Sequence, residues 1–128
     1  VRNKDKIVWY DVIEKMPEFL GSVKLVVFPA TNMRGKFDFP LVLVESLAGG
    51  TPVVVSPINP LAEYAQYKGV QVPLSNTASS FMETVRKSLE EHSYEKLSKA
   101  ARETGVKHFS IEKVAKQYEA LYKKLITG

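Results

Sequence analysis

The sequence predicts an α/β fold: a parallel sheet of about four strands with helices on both faces, closed by three C-terminal helices. Three observations predict it. Up to about Ser75, short β-branched runs alternate with helical stretches, the rhythm of βαβ units. Those runs are β-branched and largely apolar, as strands covered on both faces are. After Ser75 such runs stop and apolar residues recur at helical spacing.

The first expected strand is Ile7-Val8-Trp9, with Trp9 read as core. The second is Lys24-Leu25-Val26-Val27-Phe28. A helix then follows over Pro40 to Gly49. β-propensity alone would allow a buried strand here, but Pro40 suits a first helical turn, Gly49-Gly50 suits a left-handed stop, and Thr51-Pro52 restarts an extended segment. Pro52-Val53-Val54-Val55 and Gly69-Val70-Gln71-Val72 complete the sheet. Ser75 to Ser80 is too short for a domain linker and reads as a loop running into a helix, so residues 1–128 form a single domain. In the C-terminal part, Phe81, Val85 and Leu89 make one stripe, Leu97, Ala101 and Thr104 a second, and Val114, Tyr118, Leu121, Tyr122 and Leu125 a third. Asn76 or Thr77, Ser93 and Ser110 are the expected N-caps, with Phe109 and Val114 as a hydrophobic staple around Ser110. Tyr118 and Tyr122 read as packing residues. No internal repeat is visible.

Composition narrows the function classes. At 45% hydrophobic and 25% charged residues the chain can build a packed core, and no apolar run reaches the roughly 18 residues of a membrane span. Cysteine is absent, which excludes disulfide frameworks and thiolate chemistry and fits a reducing compartment. Two histidines, His92 and His108, do not make a metal site and read as residues near helix C-termini that face the dipole. The net charge of +4 is spread thinly, with 8 basic against 7 acidic residues over 1–82 and 10 against 7 over 83–128. Signs are interleaved along the C-terminal part, as on a solvated helix face, whereas a nucleic-acid surface clusters one sign. No nucleic-acid partner is expected. Val1 to Lys6 is polar and lacks a signal-peptide core, so a cytoplasmic location is expected, with a peripheral membrane position of an intact enzyme as the alternative.

The segment from Phe37 to Pro52 is the most informative. Its helix is apolar nearly all round, which predicts burial, yet Glu45 sits in its middle. An unpaired carboxylate in apolar surroundings costs several kcal/mol. Glu45 must therefore meet hydrogen-bond donors, face a cleft, or, with Ser46, mark a narrow solvent edge.

Phe28-Pro29-Ala30 followed by Asp38-Phe39-Pro40-Leu41-Val42-Leu43-Val44-Glu45-Ser46-Leu47-Ala48-Gly49-Gly50-Thr51-Pro52-Val53-Val54 resembles the "lPS…EgFGlvllEAmAcGtPVV" signature of nucleotide-sugar glycosyltransferases with the GT-B fold, the large retaining family 4 group (glycosyl transferases group 1). Asn59-Pro60-Leu61-Ala62-Glu63 stands at that group's "GGlPE", Gly69-Val70-Gln71-Val72-Pro73 at its "GllvP", and Phe109 to Tyr122 at its closing "fSwekvaeqleelY". The likeness runs in order over residues 7–125.

The resemblance implies the later part of the Rossmann-like C-terminal lobe, which binds a nucleotide diphosphate sugar. It implies a hexosyltransferase of glycan biosynthesis that passes the sugar to a glycan, lipid or small-molecule acceptor, with no cofactor and no metal. It also implies that an N-terminal acceptor lobe and a "GR…KG" stretch belong to the intact enzyme, so that these residues alone are expected to be inactive and, with an unpaired sheet edge, to self-associate. By the resemblance, Glu45 accepts hydrogen bonds from the donor ribose, and the backbone at Val12 meets the base. Phe39, Pro40 and Leu41 lie near phosphate and sugar at a helix N-terminus, where unpaired N–H groups and the dipole favour anions.

Several positions depart from the signature. Phe37 replaces the first of the paired Glu residues; Asp38 either substitutes for it or merely favours the helix N-terminus. Pro40 replaces a Gly and has no N–H to donate. Asn59-Pro60 replaces a Gly-Gly. Arg34 and Lys36 either pair with phosphate or are solvated loop charges, and Glu63 either fixes the loop or sugar or is a surface residue. These departures keep a second reading open, a non-catalytic nucleotide-binding or scaffolding derivative of the lobe. A flavodoxin-like domain is disfavoured by the ordered match.

Overall fold

A computed structural model describes residues 4–36 and 38–128 of the chain. Among them, three of the four expected strands form: β1 (Val26–Phe28), β2 (Val53–Val55) and β3 (Val70–Gln71), parallel and in the order β1-β2-β3. Val26 to Phe28 pair with Val53 to Val55, and Val53 and Val54 pair with Val70 and Gln71. The fourth does not form. Ile7 to Tyr10 is irregular and exposed, and Trp9, expected in the core, is 90% exposed. A strand exists only through the ladder it makes with a neighbour, and among the described residues no strand lies beside this segment. The Tyr10 ring instead meets Phe19 nearly edge-on, centroids 5.3 Å apart.

Among the described residues there are five α-helices, of which the second and third contact β2. α1 (Met16–Ser22) carries a proline in its first turn. α2 (Leu41–Gly49) starts one residue later than Pro40, which is its N-cap rather than a first-turn residue. At its other end Gly50 adopts the left-handed conformation at φ 84°, and the N–H groups of Gly50 and Thr51 donate to Leu47 O at 2.9 Å and Ser46 O at 2.8 Å, as the Gly49-Gly50 pair suggested. A segment Leu61–Gln66, largely a 3₁₀-helix, joins β2 to β3. α3 (Ala78–Ser88), α4 (Glu91–Phe109) and α5 (Ile111–Thr127) complete the chain. Thr77 caps α3, accepting from Ser80 N–H at 3.2 Å, and Ser110 caps α5, accepting from Lys113 N–H at 3.3 Å. Ser93 caps nothing, because α4 has already begun two residues earlier behind Glu90. His92 accordingly sits at the start of α4, not near a C-terminus; His108 does lie at the C-terminal end.

The core forms between the sheet and the α2–α4 pair. Val53, Val54 and Val55 are fully buried, so both faces of β2 are covered. Side chains alternate across a strand, and Val53 and Val55 join Leu43, Leu47, Leu61 and Ala101 in one cluster, while Val54 faces the side where α3 contacts β2. Full burial of Leu43 and Leu47 stabilises the fold by about 1.5–3 kcal/mol each. α2 is not buried all round: Leu43, Ser46 and Leu47 form its inner stripe, while Leu41 is 69% exposed. Ser46 is accommodated because its hydroxyl donates to Val42 O at 2.6 Å.

α4 crosses α2 at Gly105. A Cβ there would overlap the Ala48 backbone and lie 2.7 Å from Leu47 C, so only glycine permits this approach. The α2 C-terminus is further tied by Ser98 Oγ donating to Gly50 O at 2.7 Å, Arg102 Nη1 donating to Ala48 O at 2.6 Å, and Thr51 Oγ1 donating to Leu20 O of α1 at 2.9 Å. α5 is different. It has no buried residue, and Tyr118 and Tyr122, expected to pack, are exposed. The stripe read from its periodicity is present but uncovered among the described residues.

Candidate functional site

In parallel α/β sheets, ligands bind beyond the C-terminal ends of the strands, where loops lead into the helices. Here those loops are residues 29–40, between β1 and α2, and residues 56–60, after β2. They are fastened at their roots: Ser56 Oγ is buried and accepts from Ala30 N–H at 2.7 Å, and Ser56 N–H donates to Phe28 O at 3.3 Å.

The first loop also meets the Leu61–Gln66 segment. Phe39, just ahead of α2, stacks on Tyr64 of the 3₁₀ segment, with centroids 3.7 Å apart and planes 18° from parallel. The aromatic column continues from Phe39 to Phe109 at 5.9 Å and from Tyr64 to Tyr67 at 5.8 Å, and Tyr67 meets Phe109 at 5.1 Å. Phe39 thus faces protein. The Tyr64 phenol is pushed above the usual tyrosine range, first by burial and then by the negative fields of Tyr67, Asp38 and Glu63. Asp38 and Glu63, from different loops, therefore bear on one phenol.

Glu45 lies on α2 one turn beyond Leu41, on the flank opposite the buried stripe, and is half-buried. No hydrogen bond or ion pair reaches its carboxylate among the described residues, and no buried side-chain oxygen or nitrogen among them lacks a partner. The carboxylate therefore keeps access to solvent rather than sitting in a dry core. At the helix start Leu43 N–H donates to Pro40 O at 2.9 Å, while Leu41 and Val42 have no acceptor within the helix. Their N–H groups are the donors that an anion could use, since Pro40 supplies none.

The other expected residues are more scattered. Arg34 is exposed in a turn where its N–H donates to Asn32 Oδ1 at 3.1 Å, and Lys36 Nζ donates to Asn32 O at 3.1 Å. Asn59 and Glu63 are exposed on the loop after β2 and on the 3₁₀ segment. Val12 is 76% exposed ahead of α1, and the strand expected to present it is not formed. Phe37 lies outside the described residues. Among the described residues no group of three or more histidine and carboxylate side chains is arranged to hold a metal.

A further cleft lies elsewhere. About 560 Å³ in volume, it lies on the α3 face of the strand ends, lined by Val27, Ala30, Thr31, Ser56, Phe81 and Val85 among others, and no expected site residue lines it. Sequence reasoning missed this cleft and the stacking of Tyr64 on Phe39.

The loop-and-helix arrangement agrees with what sequence comparison finds. The model of glycosyl transferases group 1 matches residues 1–91, a span that contains all three strands, α2 and every residue of the candidate site. Among curated proteins none matches the chain. Because the family match covers well over half of the sequence, the chain belongs to the glycosyl transferases group 1 family.

Proposed function

We propose that this chain supplies the donor-binding region of a GT-B, retaining-type glycosyltransferase that moves a hexose from a nucleotide diphosphate sugar to a glycan, lipid or small-molecule acceptor in the cytoplasm. Glu45 accepts two hydrogen bonds from adjacent ribose hydroxyls, and the Leu41 and Val42 N–H groups with the α2 dipole meet the diphosphate. Asp38 and Glu63 face sugar hydroxyls, and the backbone at Val12 meets the base. The chemistry is positioning and stabilisation of the leaving diphosphate, without a metal.

The observation that carries this reading is a carboxylate on the open flank of α2, one turn from the helix start, inside the family-matched span. Titration with UDP, GDP and ADP tests it. The protein is expected to bind one of them, and Glu45→Gln, which keeps the shape and loses the charge, to weaken that binding by about 1.5–3 kcal/mol with unchanged thermal stability. Unchanged binding by Glu45→Gln refutes the ribose assignment. The non-catalytic derivative is favoured by one observation, the loss of a donor at Pro40. Its scaffolding form predicts no binding of any nucleoside diphosphate, whereas its nucleotide-binding form predicts binding without sugar transfer.

A further inference from the structure

The loop leading from β1 into α2 and the Leu61–Gln66 segment, both of which carry candidate site residues, are joined by the face-to-face stack of Phe39 on Tyr64. Tyr64 is itself held from behind by Tyr67, which rests against Phe109 at the end of α4. Phe39 stands two residues before Leu41, the first residue of α2, so whatever fixes its ring also fixes the entry into that helix. We propose that Tyr64 is a positioning residue for sugar transfer: its ring, backed by Tyr67 and Phe109, clamps Phe39 and thereby holds Asp38 and the start of α2 in the arrangement that receives the donor.

This inference rests on the donor-site reading above and deepens it. A loop that samples several conformers binds with an affinity reduced by the fraction of time spent in the competent one. An aromatic stack contributes enough beyond its buried area to change that fraction severalfold. The clamp works through the ring and not through the hydroxyl, because the short contact is between ring faces.

The test is titration of the whole chain with UDP, GDP and ADP, together with thermal unfolding. Tyr64→Leu is expected to bind the preferred nucleoside diphosphate about three- to tenfold more weakly at a temperature where it is fully folded. Tyr64→Phe is expected to recover most of that loss, which a role for the hydroxyl would not allow. Phe39→Leu reaches the same stack from the other side, so it tests the clamp even where Tyr64→Leu does not fold. The double variant is expected to lose no more than either single one. If the wild type binds a diphosphate and the folded leucine variants bind it equally well, the clamp is wrong and the donor site stands. If the wild type binds none of the three, the donor site and the clamp fall together.

Discussion

Gly105→Ala is the most informative single change, because it separates local propensity from tertiary fit. Within a helix, glycine to alanine ordinarily stabilises by about 1 kcal/mol. At position 105 the added methyl would overlap the Ala48 backbone and sit 2.7 Å from Leu47 C, so α4 and α2 must separate by about 1 Å to restore ordinary contact. The obstruction is backbone within a buried helix and has no rotamer to change. Overpacking of this kind costs about 1–3 kcal/mol, here toward the upper end, and the separation also stretches the Arg102–Ala48 and Ser98–Gly50 hydrogen bonds. The net expectation is a loss of about 2 kcal/mol, or about 5–10 °C in Tm for a domain of this size. Gly21→Ala is the matched control, since it is also helical but has nothing within 4 Å of the new methyl, and is expected to gain up to about 1 kcal/mol. Circular dichroism melts and urea titrations of both variants decide the matter. A Gly105→Ala protein as stable as wild type would refute the close-packing argument.

Three further outcomes are expected. Thr77→Ala removes the α3 cap and should lower stability by about 1 kcal/mol in the same melts, whereas Asn76→Ala should have little effect. The Tyr64 phenol, raised in the folded protein, should ionise above the ordinary tyrosine range in a 295 nm titration of wild type against Tyr64→Phe; its neutral form stabilises the fold below the unfolded-state value near about 10, and that contribution is lost as pH rises through the higher folded value. The edge of β1 that pairs with no strand among the described residues and the exposed α5 stripe of Val114, Tyr118, Leu121 and Leu125 should drive self-association, so a strict monomer across micromolar concentrations in sedimentation would remove that expectation.

α2 to α5 and three strands were legible because their signals are local, whereas α1 was not foreseen as an element. Gly50 marks the end of α2, Thr77 and Ser110 mark the starts of α3 and α5, and the all-valine run at 53–55 announces a strand covered on both sides. Ile7 to Tyr10 carries the same β-branched signal and forms no strand, since pairing depends on a neighbour that propensity does not report. Tyr118 and Tyr122 failed for a related reason: periodicity says which face of a helix is apolar, not whether anything covers it. Glu45 stood out as a candidate from its chemical incongruity in an apolar helix and from the family resemblance, and it is half-buried rather than enclosed. The stack of Tyr64 on Phe39 was not legible, because it joins residues 25 positions apart in the chain.

The ties at the C-terminal end of α2 bear on motion. Ala48 and Gly50 accept from Arg102 and Ser98 of α4, and Thr51 reaches Leu20 of α1. The last turn of α2 cannot fray without breaking bonds to two other helices, so α1, α2 and α4 form one cooperative opening unit, and their slowest-exchanging amides should share a single protection factor. A displacement imposed at the start of α2 is then passed on to α1 and α4 as rigid-body movement instead of being absorbed by local melting.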